Sequence, residues 1–257
     1  MTARRSSALI LPSLALVLTA LSPAAPQEAG SAVRSSWSYE GDTGPQSWAS
    51  LYPEFATCGS GTRQSPIDLS SATSSDLPGP DPWFGRTEAR RVGTDWGMVL
   101  RFEAGSAVEL DGHRYELLQA HTHAPSEHTI DGRRFPAEIH LAHRHASGQL
   151  AVLAVLVDEG AENADLQPLL PPWPQAEREE VVEGGLSAIS LLPSSFASYR
   201  YEGSLTTPPC TEGVRWVVFA NPLPASPAQL TALADMLGAS SRPVQPRNAR
   251  ELYLDPQ

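Results

Sequence analysis

Lysine is absent from the 257 residues, and all 18 basic side chains are arginine. That absence excludes Schiff-base catalysis, lysine-dependent phosphate loops and metal sites bridged by a carbamylated lysine. Basic charge is scarce altogether: 29 acidic residues leave a formal charge of −11. An acidic chain without a basic patch is a poor nucleic-acid binder. Beyond the first residues there is no further long apolar segment, no internal repeat and no linker able to separate two domains. Cysteine is limited to Cys58 and Cys210.

The N-terminus reads as a targeting segment covering residues 1–30, with an approximate cleavage point. Arg4 and Arg5 form a basic start, Ala8 to Leu21 an apolar stretch, and Ser22-Pro-Ala-Ala-Pro26 a small-residue region suited to cleavage. Pro12 and Ser13 interrupt the apolar run, which is short for a bilayer span. An uncleaved anchor is the alternative. Export to the periplasm or the medium is the reading taken, leaving residues 31–257 as one domain with no stable membrane span. In an oxidising compartment Cys58 and Cys210 are expected to pair, with two buried free thiols as the alternative.

Short runs rich in β-formers dominate this remainder. Met98–Phe102, Ala107–Leu110, Tyr115–His123, Ala137–His145, Leu150–Val157 and Val214–Ala220 read as strands between Gly, Asp or Asn turns. Leu150–Val157 is apolar on both faces and belongs in the middle of a sheet. Helical signals are few. Pro227–Leu237 has apolar residues at helical spacing behind Ser226 as N-cap, and a second helix is expected near Gln175–Glu183. The periodicity thus predicts a mainly β, single-domain protein.

The chemistry concentrates in His121-Thr-His123 and His140. Two histidines at i and i+2 of a strand project from the same face, and one from a neighbouring strand completes three imidazoles around a point. That is the ligand set of a catalytic zinc site, with the fourth position left to water. A bare HxH is a weak pointer. Gln119 and Glu138, however, each precede a ligand by two residues on the same face, placed to accept the ring N–H turned away from a metal. Asp131-Gly132 supplies a turn that folds the chain back between the two strands.

Taken with Trp37-Ser-Tyr39, Gly44-Pro-Gln-Ser-Trp48, Gln64-Ser-Pro-Ile-Asp-Leu69, the run Gln119–Asp131, Gly203-Ser-Leu-Thr-Thr-Pro-Pro-Cys210 and Arg242-Pro-Val-Gln-Pro246, the chain resembles an alpha-class carbonic anhydrase of the bacterial, exported type. The motifs run in the family's order from about Trp37 to about Leu252. The resemblance implies a large, mostly antiparallel twisted central sheet with short peripheral helices and a cone-shaped cleft containing zinc. It implies zinc-dependent reversible hydration of carbon dioxide to bicarbonate and a proton, by attack of zinc-bound hydroxide, in a monomer or homodimer. It assigns His121, His123 and His140 to the metal, Thr206 and Glu127 to orienting the hydroxide, and Tyr39 to the solvent network. Gln119, Glu138 and His128 brace the ligands. Thr207 borders bicarbonate, and Leu205, Leu141, Val152, Val214 and Trp216 form the wall receiving carbon dioxide. The resemblance also supports the Cys58–Cys210 pairing.

Two departures from the family pattern stand out. Ala120, Thr122 and Ala124 replace aromatics that often flank the first two ligands, so reduced aromatic packing there is expected. The stretch Gly93-Thr-Asp-Trp-Gly97 lacks the proton-shuttle histidine of many fast members. Two alternatives stand beside this reading. A non-catalytic relative would typically lack one of the ligands, and a binuclear zinc hydrolase would need further ligands, commonly a carbamylated lysine.

Overall fold

The computed structural model describes residues 37–256, so the targeting segment lies outside the described residues. A twelve-stranded sheet organises the chain. Its strands are β1 (Thr73–Ser74), β2 (Asp81–Phe84), β3 (Ala89–Thr94), β4 (Gly97–Phe102), β5 (Ser106–Leu110) and β6 (His113–His123), then β7 (Ala137–His145), β8 (Leu150–Glu159), β9 (Glu179–Val181), β10 (Ser198–Ser204), β11 (Glu212–Ala225) and β12 (Tyr253–Asp255). They run in the order β1-β12-β10-β11-β8-β7-β6-β4-β3-β9, with β5 pairing β6 and β2.

The sheet is mixed, which corrects the expectation of a mostly antiparallel one. β8 pairs in parallel with β11, and β1 with β12. The partners of each parallel pair are far apart in sequence, so long connections set their direction rather than hairpin turns. β8 lies between β7 and β11 with Ala151 to Val157 all buried, as a run apolar on both faces requires.

The helix Pro227–Leu237 opens with a capping box: Gln229 N–H donates to the Ser226 hydroxyl, and the Gln229 side chain accepts from Ser226 N–H. The helix expected near Gln175–Glu183 does not form. Glu179–Val181 instead becomes edge strand β9 against β3, because an open sheet edge supplies main-chain partners that a lone turn of helix lacks. Among the described residues no helix is long and apolar enough to cross a membrane.

The pleat divides the core into two layers. One contains Ala120, Ile139, Leu141, Leu153 and Val217; the other contains Val152, Ala154, Val214, Trp216 and Val218. A third cluster holds Trp48 against a disulfide joining Cys58 to Cys210, with Trp37 and Tyr39 packed on it.

Candidate metal centre

Register brings the three histidines together. β6 and β7 pair antiparallel with His140 opposite His121 and Glu138 opposite His123. Between these strands a small hairpin pairs Thr129–Ile130 with Arg133–Arg134, and Asp131 and Gly132 turn it at φ of 49° and 78°. Both angles lie in the left-handed region that an Asp-Gly turn accommodates. One ligand atom from each of His121, His123 and His140 can be chosen so that all three lie within 4.8 Å of one another.

Each imidazole has one nitrogen engaged outward. His121 Nδ1–H donates to Gln119 Oε1 at 2.8 Å, His123 Nδ1–H to the Ser240 carbonyl at 2.6 Å, and His140 Nε2–H to Glu138 Oε1 at 2.8 Å. The remaining nitrogens, Nε2, Nε2 and Nδ1, therefore keep their lone pairs. His123 Nε2 is buried with no hydrogen-bond partner, an arrangement costly for a nitrogen lone pair unless a cation meets it. Burial, reinforced by the neighbouring imidazoles, lowers the pKa of His121 well below the ordinary histidine value, and burial also lowers His123 and His140. Three neutral nitrogen donors at this spacing fit a tetrahedral zinc ion with one position left over.

Glu138 anchors the centre from behind. Its Oε1 accepts from His140 and from His128 Nδ1–H (2.6 Å), and its Oε2 accepts from the main-chain N–H of Glu127 and of His128, both at 2.8 Å. Burial alone would raise its pKa, but His128 and His140 beside it hold the carboxylate well below its ordinary range. His128 Nε2 hydrogen-bonds the Tyr201 hydroxyl at 2.7 Å, so both nitrogens of His128 are engaged in hydrogen bonds. His143 is buried and stacked on Phe84, His145 half-buried, and His113 exposed.

Glu127 is fully buried, and desolvation raises its pKa to about 6 against the opposing pull of His140. Its Oε1 accepts from Arg242 N–H at 2.9 Å, and its Oε2 lies 3.6 Å from His123 Nε2. Thr206 stands close enough to lower the Glu127 pKa, yet Oε2 has no full hydrogen bond among the described residues. Thr206 follows β10 in a loop closed by Leu205 N–H to the Thr211 carbonyl and by Cys210 N–H to the Thr207 carbonyl. The disulfide at Cys210 ties that loop to Cys58. Burial raises the Tyr39 hydroxyl pKa well above the ordinary value, with Glu127 adding to it, and its ring meets His123 edge-on at 6.4 Å.

His121 and His140 also each meet an aromatic ring from another element: Trp96 lies 5.4 Å from His121, and Trp216 lies 5.0 Å from His140. Aromatic packing at the ligands therefore comes from distant segments, not from Ala120, Thr122 and Ala124. Val152, Val214 and Trp216 share one layer, with Leu205 packed on it. Leu141 is a correction: it packs in the opposite layer. Following His140 by one residue, it is turned by the pleat to the other face, and Ala142, opposite Val152, takes the metal side. Ser240 and Arg242 were not legible as site residues, because each contributes a main-chain group that carries no side-chain signature.

Residues 43–255 match the family model for eukaryotic-type carbonic anhydrase. The chain is 37% identical over 221 residues to a carbonic anhydrase from Nostoc sp., covering 83% of this chain and 84% of the relative. It is 38% identical over 220 residues to one from Klebsiella pneumoniae, covering 84% and 89%. The solved alpha-carbonic anhydrase of Thermovibrio ammonificans, in complex with the inhibitor sulfanilamide, superposes with a TM-score of 0.81 at 37% identity, covering 84% of this chain and 98% of that one. The chain belongs to the alpha-class carbonic anhydrase family, lyases that interconvert carbon dioxide and bicarbonate.

Proposed function

We propose that this chain is an exported, zinc-dependent carbonic anhydrase with His121, His123 and His140 as its metal ligands. The observation that carries this reading is the convergence of three neutral imidazoles, each with its other nitrogen hydrogen-bonded outward. Zinc bound there supplies Lewis acidity that brings the ionisation of a water to near neutral pH.

The protein's own groups do the positioning. With its hydroxyl proton directed at Glu127, Thr206 can only accept from the attacking oxygen, which turns that oxygen's lone pair towards carbon. Glu127 holds this role because Arg242 N–H fixes one of its oxygens and Glu138 fixes its main-chain N–H. Val152, Val214, Leu205 and Trp216 present an apolar wall that suits linear, uncharged carbon dioxide and keeps surplus water away. Thr207 borders the position of the bicarbonate formed, and Tyr39 borders the solvent chain by which the proton leaves. The Cys58–Cys210 disulfide supports export, since such bonds persist in oxidising compartments.

Metal analysis paired with a carbon dioxide hydration assay tests the reading. The mature chain should carry one zinc, and His140→Ala should lose stoichiometric metal and activity together. Full zinc content in His140→Ala would overturn the ligand assignment.

A further inference from the structure

A cavity of about 670 Å³ lies against β10, β11 and the C-terminal segment. Its size falls in the range of about 300–1,000 Å³ typical of small-molecule sites. Arg200 and Glu202 on β10 oppose Val217 and Arg215 on β11. These four alternate with Tyr201 and Trp216, which also line the cavity, so residues of both sheet faces contribute to it. Half-buried Leu77 and Tyr253 give the cavity its accessible apolar surface, and Leu110, Val217 and Tyr201, nearly fully buried, also line it.

Four arginines, Arg63, Arg200, Arg215 and Arg250, face three carboxylates, Asp111, Glu202 and Glu251. Asp111 is shared by Arg200 at 3.3 Å and Arg215 at 2.9 Å, while Glu202 pairs with Arg63. Arg250 has no carboxylate partner within 4.0 Å among the described residues. It donates to the carbonyls of Arg247, Pro246 and Glu202, at 2.9, 2.8 and 3.2 Å, and its guanidinium lies 5.6 Å over the Tyr201 ring. Three of its five N–H donors are thus used and its position is set, with two donors left.

We infer that this cavity binds a small organic monoanion, a carboxylate with an aryl or alkyl body. Arg250 takes the carboxylate, and Leu77 and the Tyr253 ring take the body. A guanidinium fork matches a carboxylate in two parallel hydrogen bonds, and its stacking on Tyr201 removes part of the ordering cost. The two donors left on Arg250 match one carboxylate, and a phosphate dianion would meet stronger repulsion from Asp111, Glu202 and Glu251. Bicarbonate has the charge but no apolar body. The site uses none of His121, His123 and His140, although Tyr201 at its border also hydrogen-bonds His128.

Calorimetry on the zinc-loaded protein with 4-phenylbutyrate tests the inference, with 4-phenylbutan-1-ol and bicarbonate as controls. One saturable site should appear, should persist in His140→Ala, and should weaken about tenfold or more in Arg250→Gln, the scale of a lost charge-assisted hydrogen bond. The alcohol should bind about tenfold more weakly for the same reason, and bicarbonate should leave the site free. If Arg250→Gln lowers the melting temperature too far for titration, Arg215→Glu, which reverses a charge on the rim, should weaken binding instead. No saturable binding, equal binding of the alcohol, or binding lost in His140→Ala and kept in Arg250→Gln would each overturn the inference.

Discussion

The main-chain N–H of Arg242 donates to Glu127 Oε1 at 2.9 Å across a sequence separation of 115 residues. The Arg242 guanidinium donates to the carbonyls of Ser65 and Cys58, and lies 5.7 Å over the Trp48 ring. One arginine thus connects the buried carboxylate beside the histidines to the segment that carries the disulfide. It leaves Glu127 Oε2 outside that bond, 3.6 Å from His123 Nε2.

That division of the two oxygens makes Thr206 testable. Removing one positioned hydrogen bond in a water-poor site typically costs about 10²–10³ in rate. Thr206→Ala should retain zinc and lose hydration activity by that factor, and Thr206→Ser should recover most of it. An unchanged rate in Thr206→Ala would show that another group orients the nucleophile.

The Cys58–Cys210 bond spans a sequence separation of 152 residues. In the chain-entropy model a loop of that length adds on the order of 5 kcal/mol to stability. Thiol titration of native exported protein should find no free thiol, and reduction should lower the Tm. Two readily alkylated cysteines would refute the pairing in the cell.

His143 gives a pH signature of its own. Burial holds its pKa down to about 3, against 6.5 ordinarily, with the Leu141 and Ala151 main chain opposing that shift. A histidine neutral in the folded state and protonated in the unfolded one contributes stability above its unfolded pKa, and that stability falls as pH drops from 6.5 towards 3. Between pH 7 and 5 the loss should be about 2 kcal/mol. Unfolding titrations of His143→Gln should show a shallower acid slope than the parent by that amount. Identical slopes would mean that His143 accepts its proton without unfolding.

Proton release should limit turnover. Trp96 lies half-buried against His121, in the turn joining β3 to β4, and Asp95 beside it is exposed. Neither is an imidazole, the group best matched to taking and releasing a proton near neutral pH. His113 and His145 pair with each other at 5.5 Å, His113 at the opposite end of β6 from His123. Turnover should rise with the concentration of a small imidazole buffer while kcat/KM stays nearly fixed, and Trp96→His should raise turnover at low buffer. Turnover indifferent to buffer would reveal a shuttle elsewhere.

Local rules determined much of this protein from its sequence alone. The two-residue period of a strand placed His121 with His123, and Gln119 and Glu138 beside their ligands, because the pleat acts over adjacent residues. Asp131-Gly132 and the Ser226 cap were legible for the same reason: a turn or a helix start is decided within four residues. Tertiary structure alone decided the rest. The Ser240 carbonyl that orients His123 comes from 117 residues away, and any residue type can supply a carbonyl. That Leu141 points away from the face of His140, and Ala142 lies on it, follows from the same two-residue period once His140 is placed, whereas the neighbours packed on each face came only with the fold. The segment Glu179–Val181 became a strand only because β3 offered it an open edge. The parallel pairing of β8 with β11 followed from how distant segments pack, since the inter-strand hydrogen bonds are made by a backbone common to every residue.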